Sequence, residues 1–376
     1  MFTVIFAKAV LKHLTCKPAR KKQIMQHDNK TAIVAKWIFL GVGMLIVQTL
    51  IGGITRLTGS GLSITEWKPI MGALPPMSET EWQDAFSKYQ QIGQFKYVNQ
   101  NFTVSNFKFI FFWEWFHRLW ARLIGLVFLF PFIYFLAKKY FKQWMVAPLA
   151  ILFLLGALQG AVGWIMVKSG LNVSDVYVNH IRLAAHFMAA MVLISYALVF
   201  GLKLTLAPTD FVANKETNKG AIIIIALVSI QLVYGAFMAG LKAAAAAPTW
   251  PTINGAIIPS AVEGSFAQLI FHDKIIIHFI HRTLAYAIGI AVFIWWWKAR
   301  KITTSPTFVK MRNSTLLLVF AQILLGILTV ISSPKIVSGK FGVFEWMAQM
   351  HQLTGILLLL SLVANVYLTS KRKVIL

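Results

Sequence analysis

At 376 residues the chain is long enough for several soluble domains, yet 58% of it is hydrophobic and only 13% is charged, with a mean hydropathy of +0.69. A soluble globular chain carries about a quarter charged residues, so that class is excluded. The formal charge of +24 falls in alternating loops rather than in a basic stripe with interleaved aromatics, which argues against a nucleic-acid partner.

Residues 1–36 form a basic N-terminal segment. It is a poor fit to a cleaved signal peptide, because the short apolar stretch from Met1 to Leu11 already contains Lys8 and lacks a clear small-residue cleavage site. The single cysteine, Cys16, lies here, so no disulfide can form within the chain, and Cys16 reads as an incidental thiol. Eight apolar spans follow, each long enough for a hydrocarbon core of ~30 Å. They are expected at 37–55, 109–136, 145–167, 181–202, 220–241, 275–297, 314–332 and 346–368. The one sizeable extramembrane segment is 56–108, with Trp67, Trp82 and a polar run from Ser78 to Gln91 that suits a short amphipathic helix at the membrane interface. Its later counterpart, 242–274, is shorter and contains Ala243 to Ala247. A polar linker, 203–219, joins the fourth and fifth spans, and 369–376 is a basic tail.

Segments 1–36, 137–146, 203–219, 298–313 and 369–376 hold 22 Lys and Arg, against 10 in the longer intervening segments. Asp and Glu run the other way, 3 against 8. This asymmetry places both termini in the cytoplasm, and the basic flanks in contact with anionic membrane lipid.

Internal repeats are visible. Gln48-Thr-Leu-Ile-Gly-Gly is answered by Gln231-Leu-Val-Tyr-Gly-Ala 183 residues later, and the same offset takes Trp67 to Trp250 and Gly72 to Gly255. Gln159 with Gly163 maps to Gln322 with Gly326 at offset 163, His117-Arg118 to His281-Arg282 at 164, and His186 to His351 at 165. The fold class expected is therefore an all-α integral membrane protein, with eight transmembrane helices as two tandem four-helix bundles related by internal duplication. The N-terminal half would be 37–202 and the C-terminal half 220–368.

Of nine histidines, His13 and His27 lie in the basic segment, and His180 and His272 in or near outer loops. His117, His186, His278, His281 and His351 fall inside spans, where an unpartnered polar group is costly and a functional role is the default reading. His117, His186, His281 and His351 occupy the four spans that run inward, each about five to nine residues from the outer end, or ~8–14 Å deep. Two such imidazoles on neighbouring helices can ligate a heme iron from opposite faces. The competing readings are four separate core histidines, or a copper or zinc site that would lack further ligands. His278, three residues before His281, matches Glu114 of the first half and reads as structural or as a neighbour of the second site.

Glu114, the one acidic residue inside a span, shares a helical face with His117. It could orient the imidazole, move a proton or answer charge on a substrate, unless Arg118 or Arg122 pairs with it. Arg118, Arg282, Arg56 and Arg182 are candidate partners of heme propionates, with snorkelling as the alternative.

The chain resembles the heme A synthase family of bacteria and mitochondria. The resemblance is carried by Gly52-Gly53-Ile54-Thr55-Arg56-Leu57-Thr58-Gly59-Ser60-Gly61-Leu62-Ser63, Glu114-Trp115-Phe116-His117-Arg118, Gly163-Trp164-Ile165-Met166-Val167-Lys168-Ser169-Gly170-Leu171, Arg182-Leu183-Ala184-Ala185-His186, Phe279-Ile280-His281-Arg282 and His351-Gln352. The lack of loop cysteines is similar to the branch without a loop cysteine pair; at Ala243–Ala247 the chain departs from the pattern.

The resemblance implies a membrane oxidoreductase that oxidises a methyl group of heme O to the formyl group of heme A, for terminal oxidases. It implies that His117 and His186 hold heme O, with Glu114 as the acidic position beside them, and that His281 and His351 ligate a resident heme b. It further implies a bacterial cytoplasmic membrane location, and heme O synthase and cytochrome oxidase assembly factors as partners, with a homo-oligomer allowed. A non-catalytic diheme b-type cytochrome relaying electrons, or a membrane heme carrier, stands as the alternative. The Glu114/His278 asymmetry favours the enzyme.

Overall fold

The computed structural model describes residues 29–66, 71–259, 263–336 and 341–370. Cys16, His13, His27, the Trp67 repeat match and most of both basic termini lie outside the described residues. Among the described residues there is no strand beyond an isolated bridge between Ile253 and Ala256.

Among the described residues, eight helices are long and apolar enough to cross a membrane. They are α1 (Asn29–Leu57), α4 (Val104–Ala137), α5 (Gln143–Lys168), α6 (His180–Thr205), α7 (Lys215–Gly240), α9 (Lys274–Ala299), α10 (Pro306–Ser332) and α11 (Val343–Thr369). Shorter helices α2 (Glu79–Tyr89) and α3 (Gly93–Tyr97) follow α1, and α8 (Phe266–His272) precedes α9. Every span is longer than its apolar run, because polar caps carry the helix past the hydrophobic window. Thr103 and Asn106 form a capping box on α4, Asn179 accepts from Ile181 and Arg182 N–H on α6, and Asp273 accepts from Ile275 and Ile276 N–H on α9.

The apolar window of α11 is 67% buried and that of α4 only 6%, so α11 stands at the centre and α4 at the periphery. Around α11 pack α10, α7, α1 and α6, and α1 and α6 also pack on each other. Small residues permit the closest crossings. A Cβ on Gly240 of α7 would stand 2.6 Å from that of His180 on α6, and one on Gly53 of α1 would stand 2.5 Å from Gln349 Oε1 on α11. Gln349 and Gln352 side-chain amides donate to Leu50 and Thr49 carbonyls at 2.8 and 2.9 Å. The 203–219 linker is tied down: Asp210 accepts from Thr307 Oγ1 at 2.6 Å, and Val212 N–H donates to Leu368 O at 2.8 Å.

The described residues between α1 and α4 fold into a roof over one end of α4. Helix α2 starts at a Ser78/Glu81 capping box, as the polar run from Ser78 suggests. The Met77 and Ser78 N–H groups hold the Glu81 carboxyl below its ordinary range. Phe86, Tyr89 and Phe107 pack together beneath it. Asn99 Nδ2 donates to the Tyr89 hydroxyl at 2.7 Å, which donates to Gln94 Oε1 at 3.0 Å. Gln94 Nε2 in turn donates to Gly59 O at 3.2 Å and so links the roof to the chain just after α1. Gly93 N–H donates to Asn172 O at 2.8 Å, fastening the roof to the loop between α5 and α6.

Candidate functional site

A continuous cavity of about 970 Å³ runs through both groups of four spans and reaches His117, His186, His281 and His351. Each of these histidines comes from a different helix (α4, α6, α9 and α11), and each ring rests on a glycine of a neighbouring helix. A Cβ on Gly52 of α1 would stand 3.1 Å from His117 Nε2, and one on Gly163 of α5 would stand 2.7 Å from His186 Cε1. A Cβ on Gly235 of α7 would stand 3.3 Å from His281 Cε1, and one on Gly326 of α10 would stand 2.9 Å from His351 Cε1. Any other residue would therefore crowd the imidazoles.

Four residues before each glycine, hence on the same helical face, stands a glutamine. The side-chain amides of Gln48, Gln159 and Gln231 donate to the main-chain carbonyls of His117, His186 and His281 at 3.1, 3.2 and 3.0 Å. At the fourth position the His351 ring is engaged instead: the main-chain carbonyl of Gln322 accepts from His351 Nδ1 at 3.0 Å, and the Gln322 side-chain amide approaches Nε2 at 3.2 Å. Sequence reasoning used these glutamines as repeat markers and missed their contacts. The signal that would have found them is the Gln-x-x-x-Gly spacing, repeated four times on the helices that face the histidines.

The His281 and His351 ring centroids lie 6.3 Å apart, a separation that admits one metal ion with a nitrogen bond of ~2 Å to each ring. Among the described residues no group of three or more His, Cys, Asp or Glu could hold a bare metal ion. A histidine pair without further ligands suits a metal whose other positions are filled by a macrocycle. Buried His186 Nδ1 and His281 Nδ1 have no hydrogen-bond partner, as imidazoles awaiting a role would. The residues therefore fit heme.

Glu114 is buried, and its carboxylate is fully engaged. Oε1 accepts from Arg118 at 2.6 Å, while Oε2 accepts from Ser63 Oγ at 2.7 Å and Ile64 N–H at 2.9 Å. The pairing considered from sequence is thus the one present, and Ser63 is a contact that sequence reasoning missed. Arg118 also donates to Ile64 O at 3.2 Å, and Arg282 donates to Thr252 O and Ala247 O at 3.1 and 2.9 Å. Each of these arginines directly follows a histidine and ties a loop to the helix that carries it. Arg56 lines the cavity and donates to Ala239 O at 3.2 Å. Arg182 lies apart, in a separate small cavity with Asp175 and Tyr177, and donates to Ile165 O at 3.2 Å.

His278 is buried on the cavity wall, 3.5 Å from an Arg282 guanidinium nitrogen. His180, beside the outer loop, begins α6, is buried, and packs edge-on against His272 with centroids 5.0 Å apart. Ala243–Ala246 form a short 3-10 turn whose Ala244 lines the cavity, so the alanine run belongs to the wall beside Arg282.

Fold and site define a multi-spanning helical membrane protein whose histidines face one internal cavity in pairs suited to heme. Residues 35–363 match a family model described as cytochrome oxidase assembly protein. Similar proteins include the heme A synthase of Parvibaculum lavamentivorans, 39% identical over 323 residues, covering 83% of this chain and 90% of the relative. The heme A synthase of Novosphingobium aromaticivorans is 39% identical over 352 residues (90% and 96%), and that of Flavobacterium johnsoniae is 34% identical over 353 residues (92% and 100%). The chain belongs to the heme A synthase family.

Proposed function

We propose that this protein oxidises a methyl group of heme O to the formyl group of heme A, supplying the heme of terminal oxidases. The observation that carries the reading is the set of four glycine-seated histidines on one cavity. His117 and His186 are assigned to the substrate heme O, and His281 and His351 to a resident heme b. When bound, that heme supplies one-electron redox chemistry. The protein's own contribution is to hold imidazoles, shape an apolar cavity and place cations at its ends.

The first four spans, 37–202, would form the substrate half and the last four, 220–368, the resident-heme half, related by duplication. Recurrence of the Gln-x-x-x-Gly pattern at Gln48, Gln159, Gln231 and Gln322, each glutamine in contact with the histidine opposite, supports this division. Only the first half carries the large roof and Glu114. Closing a site excludes water from a reacting centre, which suits the half where substrate is changed. Arg118, Arg282 and Arg56, which line the cavity, are the cations available to propionates. The basic loops set both termini in the cytoplasm of a bacterial cell. Heme O synthase and cytochrome oxidase assembly factors are the partners this placement calls for.

The test is pigment analysis of protein purified from cells that make heme O but lack their own heme A synthase. The expected result is bound heme b together with heme A. His117→Ala and His186→Ala should abolish heme A and retain heme b, whereas His281→Ala and His351→Ala should lose heme b. Heme b with unconverted heme O in the parent protein would instead identify an electron relay.

A further inference from the structure

Glu345 is a second acidic side chain on the cavity wall. It stands in the first turn of α11 and is buried; hydropathy alone starts that span at 346, one residue too late to include it. Helix register shows what it faces. Gln352 and Gln349 of α11 donate to the Thr49 and Leu50 carbonyls of α1, and a Cβ on Gly53 would stand 2.5 Å from Gln349 Oε1. The two helices thus pass in opposite directions. One further turn brings Arg56 of α1 opposite Glu345, and the charge acting on Arg56 is the Glu345 carboxylate.

Arg56 lies between the two histidine pairs. It stands one turn beyond Gly52, the seat of His117, and its Nη1 donates at 3.2 Å to the carbonyl of Ala239, one turn beyond Gly235, the seat of His281. Among the described residues that is its one hydrogen bond, although a guanidinium carries five N–H donors. Arg118, by contrast, is closed on Glu114 at 2.6 Å. The two carboxylates differ in the same way. Glu114 accepts from Arg118, Ser63 and Ile64. Glu345 accepts one hydrogen bond, from Gly342 N–H at 2.8 Å, which closes the start of its own helix. Glu345 therefore attracts Arg56 without being locked to it.

We propose that Glu345 is the resting counter-charge of Arg56 and competes for it with a propionate of the substrate. The inference rests on the assignment of heme O to His117 and His186. Heme O enters and heme A leaves, so a cation that holds a propionate is bared once in every cycle. A partly buried guanidinium without a counter-charge is costly. Glu345 offsets that cost while the substrate half is empty and gives up Arg56 when a propionate arrives. Two carboxylates that share one cation weaken each other's hold on it. Glu345 is thus a positioning residue that eases product release, and it acts through Arg56.

The test is the rate at which heme A leaves the purified protein for an excess of apoglobin, read beside thermal melts. Glu345→Gln removes the charge and keeps the capping bond to Gly342, since glutamine serves equally at this helical position. It should slow heme A loss by about fivefold or more, the low end of coupling between two ligands, with heme b content unchanged. It should melt below the parent when both come from cells without heme O, and level with it when both carry heme A. Arg56→Gln should speed heme A loss, and adding Glu345→Gln to it should change nothing further, because competition needs both charges. If Glu345→Gln does not accumulate, Glu345→Asp, which draws the charge back from Arg56, should slow the loss in the same sense. Equal rates in parent and variant, or a melting deficit that heme A does not remove, overturn the proposal. A parent that holds heme O but makes no heme A overturns the enzymatic reading alone, and the same rates measured on heme O then decide the role of Glu345.

Discussion

Arg118 closes on Glu114 at 2.6 Å, one turn along the same helix, and the pair sits where the roof meets the cavity. The carboxylate takes two further hydrogen bonds from Ser63 and Ile64. Glu114 therefore anchors the start of the roof as well as lining the cavity beside His117. Its position beside His117 and its hold on the loop are one arrangement.

Glu114→Ala removes the acceptor for three donors and leaves the Arg118 guanidinium without this carboxylate. Breaking a buried pair from one side costs ~3–5 kcal/mol. The variant should melt lower, keep heme b and lose conversion of heme O; loss of heme b instead would mean that the two halves are assigned in reverse. Ser63→Ala removes one hydrogen bond to a charged group, ~1.5–3 kcal/mol. It should weaken conversion less than Glu114→Ala does. Thermal melts with pigment extraction read both.

The histidine-facing glycines separate heme binding from stability. Alanine in a helix interior is favoured over glycine by ~1 kcal/mol, so Gly156→Ala, where nothing lies within 4 Å of the added Cβ, should be neutral or stabilising. Gly326→Ala would place its Cβ 2.9 Å from His351 Cε1 and should lower the heme b content. Gly163→Ala, at 2.7 Å from His186 Cε1, should reduce conversion with heme b intact. Heme-to-protein ratios across the three variants check the ordering.

Much of this was legible in the sequence because the membrane restricts the choices. Apolar runs must become helices when backbone groups have no water to bond, so the eight spans could be read from composition. The histidine set could be read from matched offsets. What composition could not supply was direction. Glu114 and Arg118 are one turn apart on paper, but whether the carboxylate faces its neighbour or a substrate depends on Ser63 and Ile64, which arrive from another segment. His180 stands at the first turn of α6 beside the outer loop, because hydropathy marks only the apolar window while Asn179 starts the helix before it. Arg182 lies at an outer helix end as expected, yet its side chain turns to a different cavity.

The roof should depend on one glycine. A Cβ on Gly93 would stand 2.6 Å from Asp175 O and 2.7 Å from Val173 O, both main-chain atoms that cannot swing aside. Gly93→Ala should undock α2 and α3 from the loop between α5 and α6. Limited proteolysis should cut faster between residues 79 and 103, while the heme b spectrum stays unchanged. Equal cleavage in parent and variant would show that the roof is held elsewhere.

Tyr89 gives the roof a pH limit. Burial pushes its phenol up to about 12, the Asn99 amide acting against the shift and the charge of Glu114 adding to it. The neutral hydroxyl donates to Gln94 and accepts from Asn99, so ionisation breaks the first bond inside the roof. Because the folded value lies above the unfolded one of ~10, this contribution is fully present below pH ~10 and is lost as pH rises through about 12. Proteolysis of the 79–103 segment should therefore accelerate across that window. In Tyr89→Phe the acceleration should vanish, and the segment should already be cut faster at neutral pH, since Gln94 and Asn99 each lose a buried partner at ~1–3 kcal/mol. A parent protein equally resistant on both sides of the window would show that Tyr89 does not hold the roof closed.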